Sequence, residues 1–314
     1  MKFEQLYPDV SEKISIGSTY ITKGPKLGTC RLCGAITRWM DVLGLFHACS
    51  EECLCQAPTE DDAVQQEIAL AETARTVTKD ILMVVHDQLD FVKQCIDSIL
   101  ATTDHFNLYI WDNGSAAETQ AYLTDLMFRF NERLSLMRSE DNIGFIYPNN
   151  ELAALGDGEF LILLNSDCKV FDGWDKAMTA QFDANPKLGA VGFGGGLLGP
   201  DGRGLAAANG SKIDYVSGWC FCMRRAVYQE FGLFDPHLQF AYCEDSDLSL
   251  RLKKKGYELY SLHSPLVYHA QNVTVRAVEK EGGIDLKRSF EENHAYFRKK
   301  WSSYLSNDRM LLTP

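Results

Sequence analysis

Three groups of residues in this chain have the types and spacing to do chemistry. Asn165, Ser166 and Asp167 abruptly end an apolar run in LILLNSDCKV, residues 161 to 170. Glu244-Asp245-Ser246-Asp247 packs three carboxylates into four residues at the head of a helical pattern. Cys30 and Cys33 in CRLCG, with Cys49 and Cys53 in CSEEC, form two thiol pairs with fifteen residues between them. A carboxylate at the C-terminal tip of a buried strand sits where open α/β sheets bind ligands, which suits a divalent cation or a nucleotide. The bland account is that a turn follows the strand. Acidic residues also suit a helix N-terminus electrostatically. Three of them exceed what capping needs, and repulsion or partial burial would raise one pKa and make a base.

The thiol pairs fit a tetrahedral zinc, with Gly34 allowing a tight turn in the first and the second opening a nascent helix. Five of the ten cysteines fall between residues 30 and 55, and such clustering favours metal over a disulfide framework. His47 or Cys55 could replace one of the four ligands, and the alternative is a set of reduced, buried thiols. A closed site of this kind is structural, and so small a module would lean on its metal to fold. Further along, LVYHA places His269 just past a short strand. Beside Asp167 it could complete a divalent-metal site, although a lone histidine is more often structural. Trp219, between Gly218 and Cys220, could stack on the flat face of a ligand or simply fill a core.

Strands and helices must position these groups. ILMVVH (81–86), FNLYIWD ending at Asp112, LSLMR, the LILLNSD strand and GAVGF from Gly189 read as buried strands. Helical patterns lie between them: from Asp90, from Ala116 to Asn131, from the Asn142-Ile143-Gly144-Phe145 segment, and from Trp174 to Ala184. Ser115 is the expected N-cap of the second. This β-α-β alternation implies a doubly wound, mostly parallel sheet with helices on both faces. Asp112 and Asp167 then lie at strand tips on the same side of it.

The expected organisation is a zinc-knuckle module over 1–58, a linker helix over 59–79 and a catalytic domain over 80–270. A mobile loop over 271–285, which would close over a bound ligand, and a C-terminal helical segment over 286–314 complete it. The 314 residues, 46% of them hydrophobic, allow one large domain plus a small module. The net charge of -12 argues against a broad nucleic-acid surface. No apolar run reaches the roughly 18 residues of a membrane span, and MKFEQLYPDV lacks the apolar centre of a signal peptide. A cytoplasmic enzyme is the expectation. Neither a dinucleotide fingerprint nor a Walker-type phosphate loop is present.

Taken in order, WDNGS, NIGF, LLNSDCKVFDGW, GAVG, PDGR, SGWCFCMRRAVYQEFGLFDP, EDSDLSLRLKKKGYE and NHAYFRKKW resemble a family 2 glycosyltransferase with a GT-A fold. The similarity runs over about residues 80 to 301, and the cysteine segment resembles a treble-clef zinc knuckle. The resemblance implies an inverting, metal-dependent transferase that moves a sugar, hexosyl or related, from a nucleotide-sugar donor to an acceptor hydroxyl. Asp112 would hydrogen-bond the donor base, and Asn142 and Asn165 would contact the donor. Asp167 and His269 would hold Mn²⁺ or Mg²⁺ at the diphosphate. Asp245 would be the general base with Glu244 supporting it, and Trp219 and Asp247 would face the acceptor.

Two departures stand out. VVHD puts His86 and Asp87 where donor-base contacts are expected, and the metal motif begins with Asn165, leaving Asp167 its acidic member. A donor of UDP or dTDP type is expected, with a glycan, lipid, protein or nucleobase acceptor. The competing readings are a catalytically degenerate module that binds nucleotide sugars or a partner, and a sugar transferase acting on nucleic-acid bases.

Overall fold

Continuous apolar runs become strands buried on both faces in the computed structural model, which describes residues 13–16, 19–29, 36–41, 58–270, 278 and 285–306. The chain divides into two compact units, 1–66 and 67–314. In the first, β1 (Lys13–Ile16), β2 (Thr19–Thr29) and β3 (Ile36–Asp41) form an antiparallel sheet in the order β1-β2-β3. Cys30, Cys33, His47, Cys49, Cys53 and Cys55 lie outside the described residues. So do residues 271–277 and 279–284, most of the segment expected to be a mobile loop.

Helix α1 (Pro58–Glu72) precedes the second unit's sheet. Its strands are β4 (Lys79–Val85), β5 (Phe106–Asn113), β6 (Leu134–Ser139), β7 (Phe160–Leu164), β9 (Leu188–Gly192), β13 (Cys220–Arg224) and β14 (Glu258–Ser261). They lie in the order β14-β9-β13-β7-β4-β5-β6. All pairings are parallel except those of β13, which runs antiparallel to both β7 and β9. The sheet is therefore mostly parallel, and β13 reverses it in the middle. Helices α2 (Leu89–Thr102), α3 (Ala117–Arg129), α4 (Ile146–Ala154) and α5 (Trp174–Ala184) fill the crossovers.

Strand β7 explains why the sequence reads as a continuous apolar run. Phe160, Ile162 and Leu164 pack into the core on one face. Leu161 and Leu163 pack into the core on the other. Covering both faces makes every position apolar, and each buried leucine contributes about 1.5–3 kcal/mol. Two charges in this core are neutralised by buried partners: Lys79 Nζ lies 2.6 Å from Asp175 Oδ2, and Arg225 pairs with the fully buried Asp80.

Smaller pieces carry the chemistry. β8 (Cys168–Val170) pairs antiparallel with β15 (Val267–His269), which sets Cys168 opposite His269. β10 (Gly195–Leu198), β11 (Gly204–Ala207) and β12 (Tyr215–Val216) make a three-stranded sheet. α6 (Arg225–Phe231) follows β13, and α7 (Glu244–Lys254) opens with the carboxylates. α8 (Leu286–Lys300) and α9 (Ser302–Ser306) end the described chain.

Candidate active site

A crevice of about 420 Å³ opens at the C-terminal tips of β4, β5 and β7, lined by His86, Asn113, Asn142, Asn165, Asp167, Trp219, Glu244 and Asp245 among others. Most of the residues expected at the site thus meet in one place. Its floor is the turn after β7. Trp219 O accepts from Asn165 N at 2.9 Å, and Asn165 O accepts from Cys168 N at 3.1 Å. The chain turns there and re-enters as β8, with Asp167 at the bend and 6% exposed.

Asp167 Oδ1 lies 3.1 Å from His269 Nε2. The pairing of β8 with β15 fixes this contact, and Ala270 N donates to Asp167 O at 3.1 Å. The Trp219 ring stacks on the His269 imidazole, 4.8 Å between centroids and 12° between planes. One ligand atom each from Asp167, Cys168 and His269 lies within 4.8 Å of the others. A carboxylate oxygen is the donor that Mn²⁺ and Mg²⁺ sites use, and an imidazole nitrogen beside it suits a transition-metal ion better than Mg²⁺. The Cys168 thiol is held in the core, pushed well above its usual pKa by burial, and donates to Trp219 O at 3.7 Å.

The acidic helix start forms the opposite wall. Asp245 Oδ2 accepts from Gly218 N at 3.2 Å, and Oδ1 accepts from Ser246 N at 2.6 Å and Ser246 Oγ at 3.2 Å. Burial raises its carboxyl above the ordinary aspartate range, and the donors from Ser246 and Gly218 oppose that rise. Burial pushes Glu244 up to about 8, and the adjacent Asp245 charge adds to the push. Glu244 Oε2 is buried with no hydrogen-bond partner among the described residues. Gly218 and Trp219 are neighbours in sequence, so one turn touches the Asp245 carboxylate and the Asp167–His269 pair.

At the far end, Asn113 knits two loops together. Its Nδ2 donates to Asn142 Oδ1 and to Gly144 O, both at 2.8 Å. Its Oδ1 accepts from Ile143 N at 2.9 Å. Gly144 has φ +90°, and a Cβ there would lie 2.6 Å from the Phe240 backbone. His86 Nδ1 lies 2.9 Å from Asn113 O, which orients the ring at the crevice edge.

The remaining expected residues are placed differently. Asp112 is fully buried; its Oδ2 accepts from Arg138 Nε at 2.7 Å and its Oδ1 from Ser115 N at 3.2 Å. Both oxygens are therefore engaged behind the crevice wall. Asp87 Oδ1 accepts from Ala116 N at 2.7 Å, while Ser115 Oγ accepts from Asp87 N at 3.0 Å. The N-cap of α3 is Ala116, with no side-chain cap, so Ser115 does not take the role expected of it; its Oγ is turned to the loop bearing Asp87 instead. Asp247 is fully buried and accepts from Arg251 Nε at 3.0 Å and Trp301 Nε1 at 2.8 Å, with Lys300 Nζ 2.7 Å away. It anchors the chain's C-terminal helices and does not line the crevice. Sequence reasoning missed Asn113, Arg138 and Gly218. Asn113 lay in plain view in WDNGS, but as a turn residue.

Two family models match the chain: Glycosyl transferase family 2 over residues 80–196, and Glycosyltransferase like family 2 over residues 202–283. The uncharacterised protein y4gI of Sinorhizobium fredii is 23% identical over 257 residues. That match takes in 71% of this chain but 27% of the relative, so the chain spans about a quarter of that protein's length. A crystal structure of GalNAc-T7 with UDP, GalNAc and Mn²⁺ superposes with a TM-score of 0.54 at 15% identity, over 68% of this chain and 52% of that one. The mannosyltransferase PcManGT from Pyrobaculum calidifontis, in complex with GDP-Man and Mn²⁺, superposes with a TM-score of 0.51 at 12% identity, over 78% of this chain and 79% of that one. The fold is of the GT-A type that these structures share.

Proposed function

Given a family 2 glycosyltransferase domain over residues 80–283, we propose that this protein is an inverting, metal-dependent glycosyltransferase that moves a sugar from a nucleotide-sugar donor to an acceptor hydroxyl. One observation carries the reading. Asp167, which pairs with His269, and a buried acid pair, Glu244 and Asp245, line one crevice, and the Gly218-Trp219 turn joins the two groups. Both GalNAc-T7 and PcManGT are described with Mn²⁺ and a nucleotide or nucleotide sugar, which supports the same assignment here.

Asp167 and His269 would hold Mn²⁺ or Mg²⁺. Such a cation, when bound, stabilises the negative charge that develops on a departing diphosphate. Asp245 takes the proton from the acceptor hydroxyl. The Gly218 and Ser246 donors fix the orientation of its carboxylate without adding a charge, so a lone pair stays aimed at the acceptor. Glu244 remains protonated near neutral pH, which keeps a second negative charge away from the base. Attack from the Asp245 side, opposite the diphosphate, inverts the anomeric centre.

His86 and Asn142 are the donor-base contacts in this reading, for a donor of UDP or dTDP type, and Asn165 lies near the ribose. Asp112, bonded to Arg138 and to Ser115 N, does not itself line the crevice. Trp219 fixes the His269 ring and leaves one edge to the acceptor. A structural zinc on Cys30, Cys33, Cys49 and Cys53 remains part of the proposal for the first unit.

Purified protein with Mn²⁺ and a panel of nucleotide sugars should transfer or hydrolyse at least one of them. Asp245→Asn should lower transfer on the order of 10²–10⁴-fold and leave donor binding in place. Full transfer by that variant would remove Asp245 as the base.

A further inference from the structure

We infer that Asn293, on α8, is a positioning residue for sugar transfer: its amide holds in place the backbone turn that aims Glu244 and Asp245 into the crevice. The inference rests on the reading of Asp245 as base. Asn293 is 2% exposed and does not line the crevice. Its Oδ1 accepts from Gln239 N at 2.8 Å. Its Nδ2 lies 2.7 Å from Gln239 O, 2.8 Å from Ala241 O and 3.1 Å from Tyr242 O. One side chain therefore meets three of the four carbonyls and one of the four N–H groups of residues 239–242, with two hydrogens shared among the three carbonyls.

That segment needs holding. Phe240, Tyr242 and Cys243 have φ of 60°, 81° and 69°, the left-handed region, and none is glycine. Such conformations persist where the surroundings over-determine them. Cys243 O accepts from Asp247 N at 2.9 Å, so the strained turn is also the first turn of α7. Phe240 O accepts from Phe145 N at 2.6 Å and Ile146 N at 3.1 Å, which ties the same turn to the loop bearing Asn142 and Gly144. Phe240, Ala241 and Tyr242 themselves line the crevice. The chemistry fits asparagine alone. The job requires one acceptor and two donor hydrogens on a short stem, aspartate has no donor, and glutamine is a methylene too long.

The test uses the full chain with Asn293→Asp and Asn293→Ala. Arg288→Ala is the control: it removes a contact on the same helix, Arg288 Nε to Glu292 Oε1 at 2.8 Å, that does not touch the turn. Amide exchange over residues 239–243 should quicken at least about tenfold in both Asn293 variants and stay unchanged in the control. With the donor that the panel identifies, transfer kcat should fall on the order of 100-fold, since small misplacements of a reacting group cost that much. The Kd for UDP with Mn²⁺ should stay within about threefold. Unchanged exchange, unchanged kcat, an equal kcat loss in the control, or a fall in UDP affinity that tracks kcat would each overturn the positioning role. Transfer retained in Asp245→Asn but lost in Asn293→Asp would sink the base assignment and still support the clamp.

Discussion

Replacing Glu67 by glutamine should destabilise the second unit far more than an isosteric change of one atom suggests. Glu67 lies on α1, 1% exposed. Its carboxylate accepts from Ser264 N at 2.8 Å, from His263 N at 2.9 and 3.2 Å, and from Tyr260 OH at 3.2 Å, with His263 Nδ1 at 3.1 Å. Burial alone would raise its pKa, but the hydrogen bonds from His263 and Ser264 hold it below the usual glutamate value. In Glu67→Gln one oxygen becomes an NH₂ that faces N–H donors. With the NH₂ in the Oε2 position Ser264 N loses its acceptor, and with it in the Oε1 position the NH₂ opposes His263 N, which keeps only its 3.2 Å contact; a buried donor that loses its acceptor costs about 1–3 kcal/mol.

The lost charge-assisted bonds bring the total to roughly 3–5 kcal/mol. For a unit of this size that corresponds to a fall in Tm of about 10 °C. The pH dependence has a definite sign. A carboxyl with a lowered folded-state pKa contributes fully above its unfolded value of 4.5, and that contribution fades as pH falls through the folded value. Urea unfolding at pH 7 should therefore show the whole difference between wild type and variant, and unfolding below about pH 4 a smaller one. A loss under about 1 kcal/mol at pH 7, or a gap that widens as pH falls, would refute the reasoning.

Three further outcomes are expected. Burial and Asp245 push the Glu244 carboxyl up to about 8, so its ionisation costs the folded state more as pH rises through that value; Glu244→Gln should gain Tm over wild type by more at pH 9 than at pH 5, and an equal gain at both would contradict this. Gly144→Ala places a methyl 2.6 Å from the Phe240 backbone at φ +90°; it should lower Tm by several degrees and weaken UDP binding with Mn²⁺, and a wild-type melt would show that the two loops are not in contact. Burial pushes the thiols of Cys95, Cys168, Cys220 and Cys222 far above the usual range; native-state iodoacetamide treatment should leave those four unlabelled by peptide mapping, and labelling at the rate of a free thiol would count against their burial.

The elements were legible because burial on two faces imposes its own pattern. FLILL reads as a strand for the reason that it is one: alternate residues face two separate cores. The acidic start of α7 and the end of β7 were legible as chemistry because their residue types exceed what turns and caps require. Side-chain partnerships set by register were not. Asp112 looks free in WDNGS, and only the pairing of β5 with β6, which sets Asp112 opposite Arg138, occupies it. Asp247 looks like a third carboxylate of the site, but besides Arg251 on its own helix it is held by Lys300 and Trp301, more than 50 positions away. The reversal of β13 was equally hidden, since an apolar run buried on both faces does not encode its direction. Trp219 carried two readings, core or stacking platform; it packs against the core while lining the crevice, and its stacking on His269 was in neither reading.

The central claim is that this crevice binds a nucleoside diphosphate through a cation held by Asp167 and His269. Calorimetric titration of UDP, dTDP and GDP into the wild type with Mn²⁺, into the wild type with EDTA, and into Asp167→Ala with Mn²⁺ tests it directly. At least one nucleotide should bind with Mn²⁺ and lose tenfold or more of its affinity, about 1.4 kcal/mol, both with EDTA and in Asp167→Ala. Equal affinity under all three conditions, or no binding of any of them, would contradict it.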